Sequence, residues 1–214
     1  MHMDSPDTAP DDHRRTQPHD NHEAAPEHQH VLHGAGSVIG VLCCALILAY
    51  LLVSFVFQTY QVDGPSMQTT LQNGDHLIVW KVPKTTARVS GHPYIPNRGD
   101  VIIFNETIEG VPEQLVKRVI GLPGEHITVK QSVVTVYNSH YPGGYHPDDS
   151  LPYGDVIKYT PGDTDVTLGN DEIFVMGDHR DNSRDSRDFG PIEPSQIVGK
   201  LVARVLPLND FKRF

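Results

Sequence analysis

The chain has 214 residues, with 27 acids against 17 lysines and arginines, and a net charge of −10. That balance argues against a nucleic-acid partner, which needs a basic face, and the length allows one or two domains. The two cysteines, Cys43 and Cys44, are adjacent in one apolar run, so the remainder has no disulfide framework and must fold on its core.

Residues 1–35 hold seven acids and, as basic residues, only Arg14 and Arg15, with many Pro, Gln and His. Such a segment buries too little apolar surface to fold and is expected to be a disordered tail. Seven of the thirteen histidines lie here. His22, Glu23 and His28 have the residue types of a zinc-protease motif, but the spacing is wrong and Pro26 would break the helix that motif needs. No metal site is expected.

Residues 36–57 carry no charge. As a helix they would reach about 33 Å, enough for a hydrocarbon core. The run is longer than the apolar part of a cleaved secretory signal, lacks its basic flank, and ends near Phe55, Phe57 and Tyr60, like an interfacial belt. One uncleaved transmembrane helix is expected, which makes the lipid bilayer a partner. The charges code its orientation poorly, because Lys81 is the first basic residue after it.

Residues 58–214 are expected to form a mainly β domain. Candidate strands are His76–Val82, Asp100–Phe104, Leu115–Ile120, Ile127–Lys130, Val133–Tyr137, Asp155–Tyr159, Glu172–Met176 and Ile197–Val205, short and bounded by Gly, Pro, Asn or Asp. Gly74-Asp75 and Pro123-Gly124 mark turns. No amphipathic helix of convincing length and no repeat stand out. Residues 138–165, dense in Gly, Pro, Tyr and Asp, read as a small irregular insertion. Trp80 fits a half-buried core position or an anchor dipping into the outer leaflet.

Two stretches carry chemistry. Gly64-Pro65-Ser66-Met67 offers a serine close behind the apolar run, and Leu115-Val116-Lys117-Arg118-Val119 offers a lysine about fifty residues later. A serine hydroxyl needs a neighbouring base. A lysine is that base only when neutral, which burial among apolar side chains favours. On a strand, Lys117 and Arg118 face opposite ways, so Lys117 can enter a dry interior while Arg118 finds a polar partner. The loop Gly177–Asp188 interleaves Asp178, Asp181, Asp185 and Asp188 with Arg180, Arg184 and Arg187. It reads as an ion-pair network rather than a calcium loop. A Ser-His-Asp triad through His179 is disfavoured, because no Gly-x-Ser-x-Gly elbow surrounds Ser66.

These stretches resemble the boxes of the bacterial type I signal peptidases. Ser66–Leu71 is similar to the serine box, Gly99–Phe104 to a second box, Lys117–Glu125 to the lysine box, and Gly177–Arg187 with Phe189–Ile192 to the last. The resemblance spans roughly residues 36–206. It departs at Thr69, where proline is usual, and at His179, where asparagine is usual.

The resemblance implies a membrane-anchored serine endopeptidase with Ser66 as nucleophile and Lys117 as base. It implies that Ser183 orients the lysine amine, that Asp178 pairs with Arg118, and that Asp185 and Arg187 hold the scaffold. Gly64 stands where some members have an oxyanion-binding serine, so backbone N–H groups at Ser66 and Gly64 are expected to take that role. Signal peptides of exported preproteins are the implied substrates, cut after an Ala-x-Ala type site. The tail is implied inside the plasma membrane and the catalytic domain outside, with no cofactor. The alternatives are an inactive or regulatory peptide-binding β module and a self-cleaving Ser-Lys protease.

Overall fold

The computed structural model describes residues 28–68, 70–150, 157 and 159–214. Residues 1–27 of the expected disordered tail with their histidines, Thr69, and most of the expected strand Asp155–Tyr159 lie outside them; residues 28–35, also expected in that tail, are helical.

The chain divides into two units at Ala45/Leu46. Helix α1 (His28–Leu51) is followed by a π-helical turn, Leu52–Val56. From Val38 to Leu51 its large apolar side chains, among them Val41 and Leu46, are exposed. Among the described residues no helix is long and apolar enough to cross a membrane, so the expected spanning helix over 36–57 is not met in that form. Phe57 is already in strand β1 (Phe57–Gln61), because Phe-Gln-Thr-Tyr-Gln is strand-forming and pairs with a neighbouring strand from its first residue.

The rest is mainly β and antiparallel. A seven-stranded sheet has the order β1, β2 (His76–Trp80), β9 (Ile197–Leu206), β3 (Val101–Ile108), β4 (Val111–Gly121), β8 (Phe174–Met176), with β10 (Lys212–Arg213) beside β9. A three-stranded sheet has the order β6 (Val133–Tyr137), β5 (His126–Lys130), β7 (Thr164–Thr167). The Val133–Tyr137 strand matches its expected bounds. β3 and β4 run longer than expected, as one hairpin from Val101↔Arg118 to Ile108↔Val111.

The expectation of no convincing helix fails at α2 (Val82–Ser90). Its β-branched residues suit a strand, which carried the expected strand on to Val82. Pro83 sits in its first turn and Gly91 closes it at φ +73°, which are start and stop signals. Within 138–165 the described part holds a bridge from Tyr145 to Val136, one turn of helix, α3 (Pro147–Ser150), and the first two residues of β7.

Three aliphatic clusters fill the interior. One joins the smaller sheet to the larger through Ile127, Val129, Val136, Leu168 and Phe174. A second gathers Ile102, Phe104, Val119 and Ile197. The third contains Met67, Leu71, Leu77 and Leu201, and it seats the turn that carries Ser66.

Candidate active site

The Ser66 turn is made by its own sequence. Pro65 supplies a fixed φ, Gln68 N–H donates to the Pro65 carbonyl, and Leu71 N–H donates to the Met67 carbonyl. Met67 and Leu71 are fully buried. Anchored on both, the turn lifts the half-buried Ser66 between them and Gly64.

Lys117 comes from the middle of β4, opposite Ile102 of β3. It is only 2% exposed, and its Nζ lies 2.8 Å from Ser66 Oγ. Desolvation pushes the Lys117 ammonium down to about 8, against an opposing pull from Asp185, Asp178 and Glu113. Burial therefore outweighs three carboxylates, and about one amine in ten is neutral at pH 7.

Arg118 leaves the opposite face of β4. Its Nε and Nη2 reach Asp178 at 2.8 and 2.6 Å, its Nη1 donates to the Gly99 carbonyl, and Nη2 also lies 3.3 Å from Thr70 Oγ1. Asp185 accepts from Gly177 N–H and from Arg187 Nε and Nη2, and caps α4 (Ser186–Phe189). Buried charges of this kind are tolerable because each is paired and hydrogen-bonded.

Two expected roles are corrected. Ser183 Oγ makes no hydrogen bond to the lysine amine; it is buried without a partner, packed against Gly177. The amine is taken up by Ser66 instead. Gly64, at φ +101°, gives its N–H to Asn73 Oδ1 at 2.9 Å, so that donor is already engaged and the Gly64 half of the expected oxyanion pair is lost.

Other residues had no assigned role. A Cβ on Gly177 would meet Ser66 O at 2.4 Å and Ser183 Oγ at 2.2 Å, so only glycine fits behind the serine. Its place in a Gly-Asp pair was the available signal. Arg204 reaches the Thr70 carbonyl, Asp75 and Asp210, tying the far end of the serine turn to β9. A cation in an otherwise largely apolar strand, Ile197–Leu206, which also carries Lys200, was its signal. The acid-rich loop does form ion pairs, and among the described residues no cluster suits a metal ion. A cavity of about 600 Å³ lies elsewhere, beside Ala87, Tyr94 and Glu193, and no predicted site residue lines it.

Residues 36–206 match the family described as Signal peptidase, peptidase S26. The chain belongs to that family. It is similar to Signal peptidase I of Bacillus caldolyticus, 37% identical over 164 residues, or 73% of this chain and 84% of that one. It is 35% identical over 176 residues to Signal peptidase I P of Bacillus subtilis subsp. natto, covering 81% of this chain and 90% of that one. A crystal structure of a signal peptidase I from Enterococcus faecalis V583 aligns at 24% identity and a TM-score of 0.40, over 50% of this chain and 97% of that one. As a member of the signal peptidase family, the chain is a serine endopeptidase of the type I class. His179, in the family's last box, donates its backbone N–H to the Ser66 carbonyl.

Proposed function

We propose that this endopeptidase removes signal peptides from exported preproteins with Ser66 as nucleophile and Lys117 as its base. The observation that carries this is the 2.8 Å contact between a buried amine and a serine hydroxyl. Neutral Lys117 accepts the Ser66 proton as Oγ attacks the scissile carbonyl. It then passes that proton to the departing amine, leaving an acyl-enzyme. Water, deprotonated by the same amine, hydrolyses the ester and restores Ser66. The Ser66 N–H is the proposed oxyanion donor. Asp178, Arg118, Asp185 and Arg187 hold the framework, and Ser183 flanks it.

The substrate is proposed to lie extended, bound by main-chain hydrogen bonds, with small Ala-x-Ala side chains in shallow pockets. We read α1 and the apolar residues after it as the anchor, with the catalytic domain outside the plasma membrane. Phe57 and Trp80, directly opposite each other on β1 and β2 and 40% and 37% exposed, support contact with lipid.

The test is cleavage of a preprotein whose signal ends in Ala-x-Ala, by full-length enzyme in lipid vesicles. Ser66→Ala and Lys117→Ala are each expected to lose at least about a thousandfold in kcat. Wild-type rates in both variants would sink the dyad.

A further inference from the structure

We propose that His179 is a positioning residue that orients the Ser66 N–H, the donor that meets the oxyanion. The inference rests on reading Ser66 as the nucleophile.

His179 grips two successive carbonyls of the serine turn. Its backbone N–H donates to Ser66 O at 3.1 Å. Its ring Nδ1 lies 3.2 Å from Pro65 O, across 114 residues of chain. A carbonyl only accepts, so Nδ1 carries the hydrogen. The other ring nitrogen, Nε2, lies 3.2 Å from Asp181 Oδ1.

The contact at Pro65 matters because of peptide geometry. The carbonyl of Pro65 and the N–H of Ser66 belong to one rigid plane and point in opposite directions. Fixing where the carbonyl points therefore fixes where the N–H points. A donor on the carbonyl also polarises the amide and strengthens its N–H as a donor. Pro65 has no N–H of its own to compete for the turn, and its carbonyl is shared with Gln68 N–H at 2.9 Å. The plane is thus held from two sides. The next carbonyl, Ser66 O, is held between His179 N–H and the bare face of Gly177. Asn182 N–H in turn donates to the His179 carbonyl, which steadies the residue from its own loop.

The geometry separates two replacements of similar chemistry. The side-chain amide of asparagine places its N–H near the position of Nδ1. Glutamine places its N–H near the position of Nε2. Only asparagine can serve the Pro65 carbonyl without moving the loop.

The experiment measures kcat and KM for preprotein cleavage by full-length enzyme in vesicles, for wild type, His179→Ala, His179→Asn and His179→Gln, with melting temperatures. His179→Ala is expected to lower kcat about tenfold and leave KM within about twofold, because the lost interaction belongs to the transition state. His179→Asn is expected to recover most of kcat, and His179→Gln to stay near the alanine value. Unchanged kcat in the alanine variant, a change in KM alone, or recovery by glutamine but not asparagine would each overturn the proposal. If the alanine variant does not fold, the asparagine–glutamine contrast decides. Active Ser66→Ala and Lys117→Ala variants would remove the dyad and this role together. Dead dyad variants beside a fully active His179→Ala would remove this role alone.

Discussion

Lys117 on the larger sheet and Lys130 on the smaller one titrate in opposite directions. Desolvation lowers Lys117 to about 8, while a hydrogen bond and charge from Asp165 raise Lys130. Around Lys117 the larger sheet buries Arg118, Asp178, Asp185, Arg204 and Asp75 together. The smaller sheet buries Ile127, Val129, Val134 and Val136, and leaves Lys130, Asp165 and His126 paired at its surface. Both arrangements contain salt bridges. Only one of them keeps water away from the charges, and that one surrounds Ser66, the proposed nucleophile.

The largest effect should come from breaking the buried side of this contrast. Asp178→Ala removes the buried carboxylate that accepts from Arg118 Nε and Nη2 and is expected to destabilise the domain by about 3–5 kcal/mol. Chemical denaturation checks it, and an unchanged midpoint would put the pair in solvent.

Next, Lys117→Met removes an amine whose charge is disfavoured where it sits. Its pKa falls from 10.5 unfolded to about 8 folded, so the burden on the folded state is full below pH 8 and vanishes as pH rises to 10.5. The variant is expected to be inactive, yet more stable than wild type at pH 7 by up to about 3 kcal/mol. Denaturation at pH 7 and pH 10.5 should show the gap closing. A gap that widens with pH would reverse the sign.

The same shift sets the acid limb of the rate. With the neutral amine as the proposed base, kcat/KM should rise about tenfold per pH unit below about 8 and level off above it. A profile that is flat from pH 6 to 9 would mean the lysine is not the titrating base.

The smallest effect belongs to the smaller sheet. Hydrogen bonds from Lys130 and His126 lower Asp165 to about 2, but the cluster is exposed and screened. Lys130→Ala is therefore expected to leave both melting temperature and cleavage rate unchanged. A clear loss in either would show that the surface cluster does more than solvate its sheet.

How much of this was legible follows from the range of the interactions. β6 and the Lys117 and Arg118 faces of β4 could be read because alternation is local. The start of β1 could not, because Phe57 ends an unbroken apolar run and only its pairing with Trp80 ends the helix. α2 was hidden by Thr and Val residues, although Pro83 and Gly91 mark its ends. At the site, Ser66 and Lys117 stood in recognisable boxes. The orphan hydroxyl of Ser183 and the engaged N–H of Gly64 depend on side-chain positions that spacing does not specify. The grip of His179 on Pro65 spans 114 residues, and no local pattern encodes it.

The reach of Arg204 has a consequence for timing. Its contact with the Thr70 carbonyl closes 134 residues of chain, and Lys117 meets Ser66 across 51. The segment bearing the hydroxyl is therefore synthesised long before the groups that brace it. Such distant closures form late, after the entropy of the intervening loop has been overcome. A growing polypeptide thus carries the Ser66 turn without its Arg204 brace until β9 has been made, so the turn is completed only near the end of synthesis.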